Sequence, residues 1–345
     1  MTTTSAVDVT PALRRYADLA DDEMQRLLPV DGSLEYLVAP VRDYPERPGK
    51  GIRPALCLAT CEAFGGVAAD ALPSAGALEL LHNAFLIHDD VEDHSDMRRG
   101  GPALHRRYGM ELAVNAGDAL ALAAMGGPRH NVGRLGPRLA GRVFDEFDFM
   151  ARHTVDGQAT DIGWRLDNRL DLTPVDYLHL IMRKTCWYTT ILPLRLGALI
   201  GSAGTADLDP MIDFGFHLGA AFQIRDDILN LTGDTGRYGK EPLGDVREGK
   251  RTLILVHLLT AVEGAEQEWL AGFLGSQREA RAADDVEKVF ELMRRHGSIA
   301  FAGAMARGIA HAAREAFDVA FAGVPESAAR RFVAAMIPYM VERPS

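Results

Sequence analysis

Cysteine is scarce in this chain: three among 345 residues, Cys57, Cys61 and Cys186. An odd number in apolar surroundings excludes a disulfide framework. Cys57 and Cys61 share a helix face, but no His or further Cys stands nearby to complete a zinc site. The three read as buried core thiols in a reducing, cytoplasmic compartment. Basic stripes are missing too. Net charge is −11, which excludes nucleic acid as a partner and admits an anionic substrate only if cations bridge to it. No uninterrupted apolar run reaches membrane-spanning length. The N-terminus, MTTTSAVDVT, lacks the basic and apolar regions of a secretory signal. Strand signals are nearly absent, with no convincing period-two run and no Asn-Gly turn. What is present is 47% hydrophobic content patterned at the helical period. The expectation is an all-α chain, a single domain over residues 1–345 with long helices around a pocket and a loose segment at 1–10.

Two acidic stretches organise that pattern. Residues 78–101, LELLHNAFLIHDDVEDHSDMRRGG, run apolar to Ile87 and then turn acidic at Asp89, Asp90, Glu92, Asp93 and Asp96. On a helix Asp89 and Asp93 lie at i and i+4, on one face, where like charges repel. Cations between them would relieve the repulsion. Hard oxygen ligands with room for water and phosphate suit Mg²⁺ better than a Zn²⁺ or Ca²⁺ cage. Taken alone, the stretch reads equally as a solvated acidic helix end. The second stretch, FQIRDDILNLTGD at 222–234, ends another apolar run in Asp226 and Asp227, and Asn230 holds the place that Asp93 holds in the first. Two Asp doublets facing across a pocket would hold several Mg²⁺ ions and one polyanion, diphosphate being the obvious candidate.

In chain order, the spacing predicts a helix over 11–28, then a proline-rich loop at 29–51 that presents Lys50 and Arg53 to a helix over Pro54–Phe64. A Gly/Ala turn region at 65–73 precedes the central helix. Residues 110–125 read as a helix ended by Gly126-Gly127-Pro128, and 138–163 as a helix carrying Gln158 and Asp161. Thr173–Ile200 is a long apolar pattern with Lys184 and Thr185 in its first half, which Pro193 should kink or split. Residues 232–251 hold five glycines among Asp234, Lys240, Asp245 and Lys250, a composition suited to a loop that folds over a ligand. The remainder is Ala/Leu-rich helix.

In sum these motifs resemble the trans-isoprenyl diphosphate synthases, over roughly residues 45–255. GKGIRP (Gly49–Pro54) is similar to the family's GKxxRP segment. HDDVEDHSDMRRG (His88–Gly100) matches its first aspartate-rich motif with the trailing RRG, and Lys184-Thr185 its KT pair. FQIRDD (Phe222–Asp227) matches the second aspartate-rich motif, and GKEPLGDVREGKRT (Gly239–Thr252) the glycine-lysine loop after it. The resemblance implies an isoprenoid-synthase-type helical bundle and a homodimer. It implies Asp89, Asp93 and Asp226 as chief Mg²⁺ ligands, three ions in all, supported by Asp90 and Asp227. Arg98, Lys184, Thr185, Gln223, Lys240 and Lys250 would serve the allylic diphosphate. Lys50, Arg53, His82 and Arg99 would hold isopentenyl diphosphate. Asn230 departs from the family's commoner third Asp, keeping an oxygen and losing a charge.

The reaction so implied is ionisation, condensation and elimination, with no nucleophilic side chain. A growing apolar tail would run down the central helix away from the metals. Ala84 and Phe85, about one turn below Asp89, would form its floor, which favours geranylgeranyl diphosphate, with farnesyl diphosphate next. A class I terpene cyclase would need an Asn/Ser/Glu metal motif in place of the second Asp doublet. A squalene or phytoene synthase would lack the GKxxRP and RRG elements. A non-catalytic partner subunit would be expected to lose one acidic cluster.

Overall fold

A computed structural model describes residues 8–29, 31–233 and 243–342. Asp234 and Lys240 lie outside the described residues, as do residues 1–7. α1 (Thr10–Leu27) buries Leu13, Tyr16, Ala20 and Met24 along one face. The 29–51 segment, expected as loop, is partly helical. A π-turn (Leu34–Val38) leads into α2 (Ala39–Asp43), with Pro40 in the first turn, where its missing N–H costs little. Gly51 at φ +59° starts α3 (Ile52–Ala63). The central helix, α4 (Ala68–Glu92), begins within the expected turn region and carries Pro73 inside.

A two-residue hairpin follows, β1 (Met97–Arg98) against β2 (Gly101–Pro102). Its loop residues Arg99 and Gly100 both have positive φ, the signature of a type I′ turn. Then come α5 (Leu104–Tyr108), α6 (Met110–His130) and α7 (Val132–Leu166), the last bent at Gly136. α6 does not stop at Gly126-Gly127-Pro128. A Cβ on Gly127 would stand 2.5 Å from the Ala77 side chain of α4, so close helix packing there overrides the local breaking signal.

Thr173 and Asp176 cap α8 (Pro174–Ile181) reciprocally. The helix then widens into a π-helix (Met182–Ile191) before α9 (Leu192–Gly201). The irregularity therefore precedes Pro193, which sits in the first turn of α9. α10 (Pro210–Thr232), α11 (Gly244–Glu248), α12 (Leu253–Ala261), α13 (Gly264–Gly275), a 3₁₀ turn (Arg278–Ala280), α14 (Ala283–Arg295), α15 (Ser298–Ala320) and α16 (Ala328–Glu342) complete the described chain. α4 packs against α1, α3 and α6, and α10 against α15 and the π-helix. One apolar cluster runs from Leu13 of α1 to Val333 of α16. The cavity opens between α4, α7, the π-helix and α10, at the ends where the two acidic doublets stand. No described helix is long and apolar enough to cross a membrane.

Candidate active site

The cavity has a volume of about 840 Å³. Its acidic rim is built from the last turns of α4 and α10. Asp89 and Glu92 reach it from α4, and Asp226 and Asp227 from α10. Asp90 does not. It is fully buried and grips Arg98, whose Nε donates to both carboxylate oxygens at 3.0 Å and whose Nη2 donates to Oδ1. The Tyr44 hydroxyl donates to Asp90 Oδ2 at 2.5 Å and accepts the Leu104 N–H at 3.0 Å. Burial and then the Asp90 charge push the Tyr44 phenol well above its ordinary range. The resemblance implies Asp90 as a support for the metal ligands; in the structure it turns inward to Arg98, since residues adjacent on a helix point about 100° apart.

Asp93 caps α4 and is 2% exposed. It lies outside the cavity lining, with Arg165 Nη1 at 2.8 Å and Lys250 Nζ at 2.6 Å. Lys250 also lies 2.9 Å from Glu248. Lys184 pairs with Asp161 at 2.6 Å and stands 3.4 Å from Asp89. Burial opposes the Lys184 charge, but Asp161 and Asp89 outweigh it and hold the amine above its ordinary range. Asp227 accepts from Tyr177 Oη at 2.8 Å and from Gln223 Nε2 at 2.7 Å. Burial, followed by the Asp245 charge, raises its carboxyl. Asn230 is buried away from the cavity. Its Oδ1 accepts the Asp245 N–H at 3.1 Å, so it shapes the turn into α11.

A second cluster, on the α3–α4 side, is cationic. Lys50, Arg53, His82 and Arg99 line the cavity there with a half-buried carboxylate, Glu79. Arg53 donates to Thr189 Oγ1 at 3.0 Å and lies 4.6 Å over the Tyr188 ring. Arg99, aimed by the hairpin turn, donates to Tyr44 O and Asn83 Oδ1, each at 3.2 Å. His82 stacks on Tyr188 at 5.9 Å, and its Nδ1 is buried without a hydrogen-bond partner. Burial, then Arg53 and Arg99, keep this imidazole well below its ordinary pKa, hence neutral. Taken together, the cations and the orphaned ring nitrogen suit an oxyanion.

Below both clusters the wall is apolar. Phe85 lies there edge-on to Tyr188, 5.5 Å between centroids. Ala84 is fully buried in the core and is absent from the cavity wall. Thr185 lines the cavity beside Lys184. The π-helix turns Lys184, Thr185 and Tyr188 to the same side, and Gly157 of α7 permits it: a Cβ there would stand 2.3 Å from the Lys184 nitrogen.

Sequence reasoning missed Tyr44, Glu79, Arg165 and Tyr188. Tyr188 stands four residues after Lys184, and Arg165 four after Asp161; that i+4 spacing was the available signal. Among the described residues, no three His, Cys, Asp or Glu side chains form a ready-made metal cage. The donors that reach the cavity are carboxylate oxygens, Asp89 and Asp226 foremost. Such a set fits Mg²⁺ whose coordination is completed by phosphate oxygens and water.

The family model described as polyprenyl synthetase matches residues 34–293. The short chain isoprenyl diphosphate synthase of Methanothermobacter thermautotrophicus is 33% identical over 98% of this chain and 99% of its own. The geranylfarnesyl diphosphate synthase of Natronomonas pharaonis is 30% identical over 99% of each chain. Among solved structures, the geranylgeranyl pyrophosphate synthase of Corynebacterium glutamicum, complexed with isoprenyl diphosphate and magnesium, superposes with a TM-score of 0.86 at 25% identity, covering 96% of this chain and 99% of that one.

Proposed function

The chain belongs to the polyprenyl synthetase family and is a prenyltransferase, and from that premise we propose that it joins isopentenyl diphosphate to an allylic diphosphate (dimethylallyl, geranyl or farnesyl), with geranylgeranyl diphosphate as the end product. The observation that carries this reading is a single cavity with two charged ends. Asp89 and Asp226 stand at one, Lys50, Arg53, His82 and Arg99 at the other, and an apolar wall lies below.

Asp89 and Asp226 would hold Mg²⁺, up to three ions in all, and the bound ions would supply positive charge that stabilises a leaving diphosphate. Lys184, Arg98 and Lys250 add fixed cations around the same group. Lys250 and Lys184 are held above their ordinary pKa by neighbouring carboxylates after burial is counted against them, so both remain charged. The C–O bond of the allylic substrate breaks, and the electron pair leaves with diphosphate. Lys50, Arg53, Arg99 and neutral His82 orient isopentenyl diphosphate so that its double bond attacks the allylic carbon. Tyr188 and the apolar wall keep water from the cation. The proton lost in forming the new double bond passes to an oxygen of the departing diphosphate. Asp90 and Asp227 act through Arg98 and Gln223. Asp93 acts through Lys250.

Phe85 lines the apolar wall edge-on to Tyr188, a bulky side chain that supports the twenty-carbon product over longer ones. The geranylfarnesyl-forming relative makes twenty-five carbons the competing outcome, with fifteen the other. Purified protein, Mg²⁺, isopentenyl diphosphate and each allylic starter, followed by mass analysis, decides among them. A twenty-carbon diphosphate supports the reading; a cyclic hydrocarbon or no turnover overturns it. The continuous core supports one domain. The exposed Leu122, Phe144 and Phe149 of α6 and α7 supply apolar surface for a homodimer, which light scattering tests. The buried free thiols suit a cytoplasmic location.

A further inference from the structure

The carbonyl end of α13, remote in sequence from both acidic motifs, is tied to the backbone that presents Lys250. Arg281 is the tie. It is 9% exposed, and all four of its side-chain hydrogen bonds end on backbone carbonyl oxygens. Three of these belong to the end of α13 and the turn beyond: Nε donates to Phe273 O at 3.3 Å, and Nη2 donates to Leu274 O and Ser276 O at 2.9 Å each. Carbonyls at a helix C-terminus lack intrahelical donors and carry the negative end of the helix dipole. That explains how a guanidinium can be buried there without a carboxylate. Burial, then Arg165 and Arg278, lower its pKa without a compensating hydrogen-bonded anion.

The fourth bond crosses to the site. Nη1 donates to Arg247 O at 2.6 Å, three residues before Lys250. Gly249 stands between them at φ +70°, and a Cβ on it would lie 2.7 Å from Arg281 Nη1. The guanidinium therefore rests directly on the turn. A second route converges on the same turn. Arg251 donates to Gly249 O and, at 2.8 Å, to Asn168 Oδ1. Asn168 in turn donates to Ala271 O of α13 at 3.2 Å. Two buried arginines thus hold the Gly249–Lys250 turn, both anchored on α13. Lys250 has a long side chain with rotamers to spare, so its Nζ finds a fixed place only if its backbone is fixed.

We propose that Arg281 is a positioning residue for Lys250: by bridging the carbonyl end of α13 and Arg247 O it sets the turn from which Lys250 meets the allylic diphosphate. This rests on the reading of Lys250 as a diphosphate-binding cation.

The test is a double-mutant cycle of Arg281→Met and Lys250→Met on the full chain. KM for farnesyl diphosphate, KM for isopentenyl diphosphate, kcat and thermal midpoint are measured for each variant. Arg281→Met is expected to raise the farnesyl diphosphate KM by about tenfold, the loss of roughly one charge-assisted bond, and to leave the isopentenyl diphosphate KM unchanged. The double variant is expected to match Lys250→Met alone, since a mispositioned lysine that is absent costs nothing further. Arg281→Lys, which retains a donor for Arg247 O, is expected to recover part of the affinity. A lowered thermal midpoint with an unchanged farnesyl diphosphate KM, or fully additive effects in the double variant, overturns the proposal. If Arg281→Met does not fold, the same comparison is made with Arg281→Lys and Arg281→Gln: a farnesyl diphosphate KM graded with donor number supports the proposal, and a flat one overturns it. If Lys250→Met itself leaves that KM unchanged, the reading of Lys250 fails, and the proposal with it.

Discussion

Replacing Asp90 with Asn tests whether this aspartate holds a metal or holds Arg98. The side chain keeps its size and loses its charge. In the native packing Asp90 is fully buried, Arg98 is 6% exposed, and the two share three hydrogen bonds. The substitution leaves the guanidinium buried beside an amide that offers one acceptor where two stood. Removing one partner of a buried ion pair costs roughly 3–5 kcal/mol, a large share of the about 5–15 kcal/mol that stabilises a typical fold. Tyr44→Phe removes the hydroxyl that joins Asp90 to the Leu104 N–H; leaving those groups unmatched costs about 1–3 kcal/mol. Urea denaturation is the assay, run beside the Mg²⁺ dependence of turnover. The expected result is a midpoint lowered in the order Asp90→Asn, then Tyr44→Phe, with the Mg²⁺ requirement of both within roughly twofold of the parent. Asp89→Asn is the control: its fold should hold and its Mg²⁺ requirement rise by about tenfold or more. An Asp90→Asn protein that unfolds like the parent and needs as much extra Mg²⁺ as Asp89→Asn would refute the reasoning.

Phe85→Ala opens the apolar wall next to Tyr188, and mass analysis should find products longer by at least one isoprene unit; an unchanged product refutes its role as floor. Arg53→Leu removes one charge-assisted contact, worth about 1.5–3 kcal/mol. It should raise the KM for isopentenyl diphosphate by roughly ten- to a hundredfold and leave the allylic KM near its parent value; equal rises in both would place Arg53 between the two sites. Gly197→Ala puts a methyl 2.5 Å from Cys57 O where α9 crosses α3. It should destabilise by about 1–3 kcal/mol in denaturant, without changing KM for either substrate below the melting temperature.

The all-α architecture and the two acidic helix ends were legible because both are local signals: a period of 3.6 and an abrupt change from apolar to acidic. Helix limits were less so. Residues 68–73 of the expected turn region and residues 126–128 lie inside α4 and α6, where tertiary packing such as Gly127 on Ala77 outweighs local preference. The division of labour within each Asp doublet is a different case, because geometry already contained it. Successive helical residues point about 100° apart, so a doublet at a cavity rim cannot aim both carboxylates at one metal with equal freedom. Asp89 opens to the cavity while Asp90 turns inward to Arg98 and Tyr44. On α10, Asp226 opens to the cavity, and Asp227 touches it with both oxygens already accepting from Tyr177 and Gln223. The inward member fixes a neighbouring side chain of the same site, Arg98 in one case and Gln223 in the other. A doublet therefore couples a cavity-facing carboxylate to the placement of its own surroundings, which a lone aspartate at either helix end would not do.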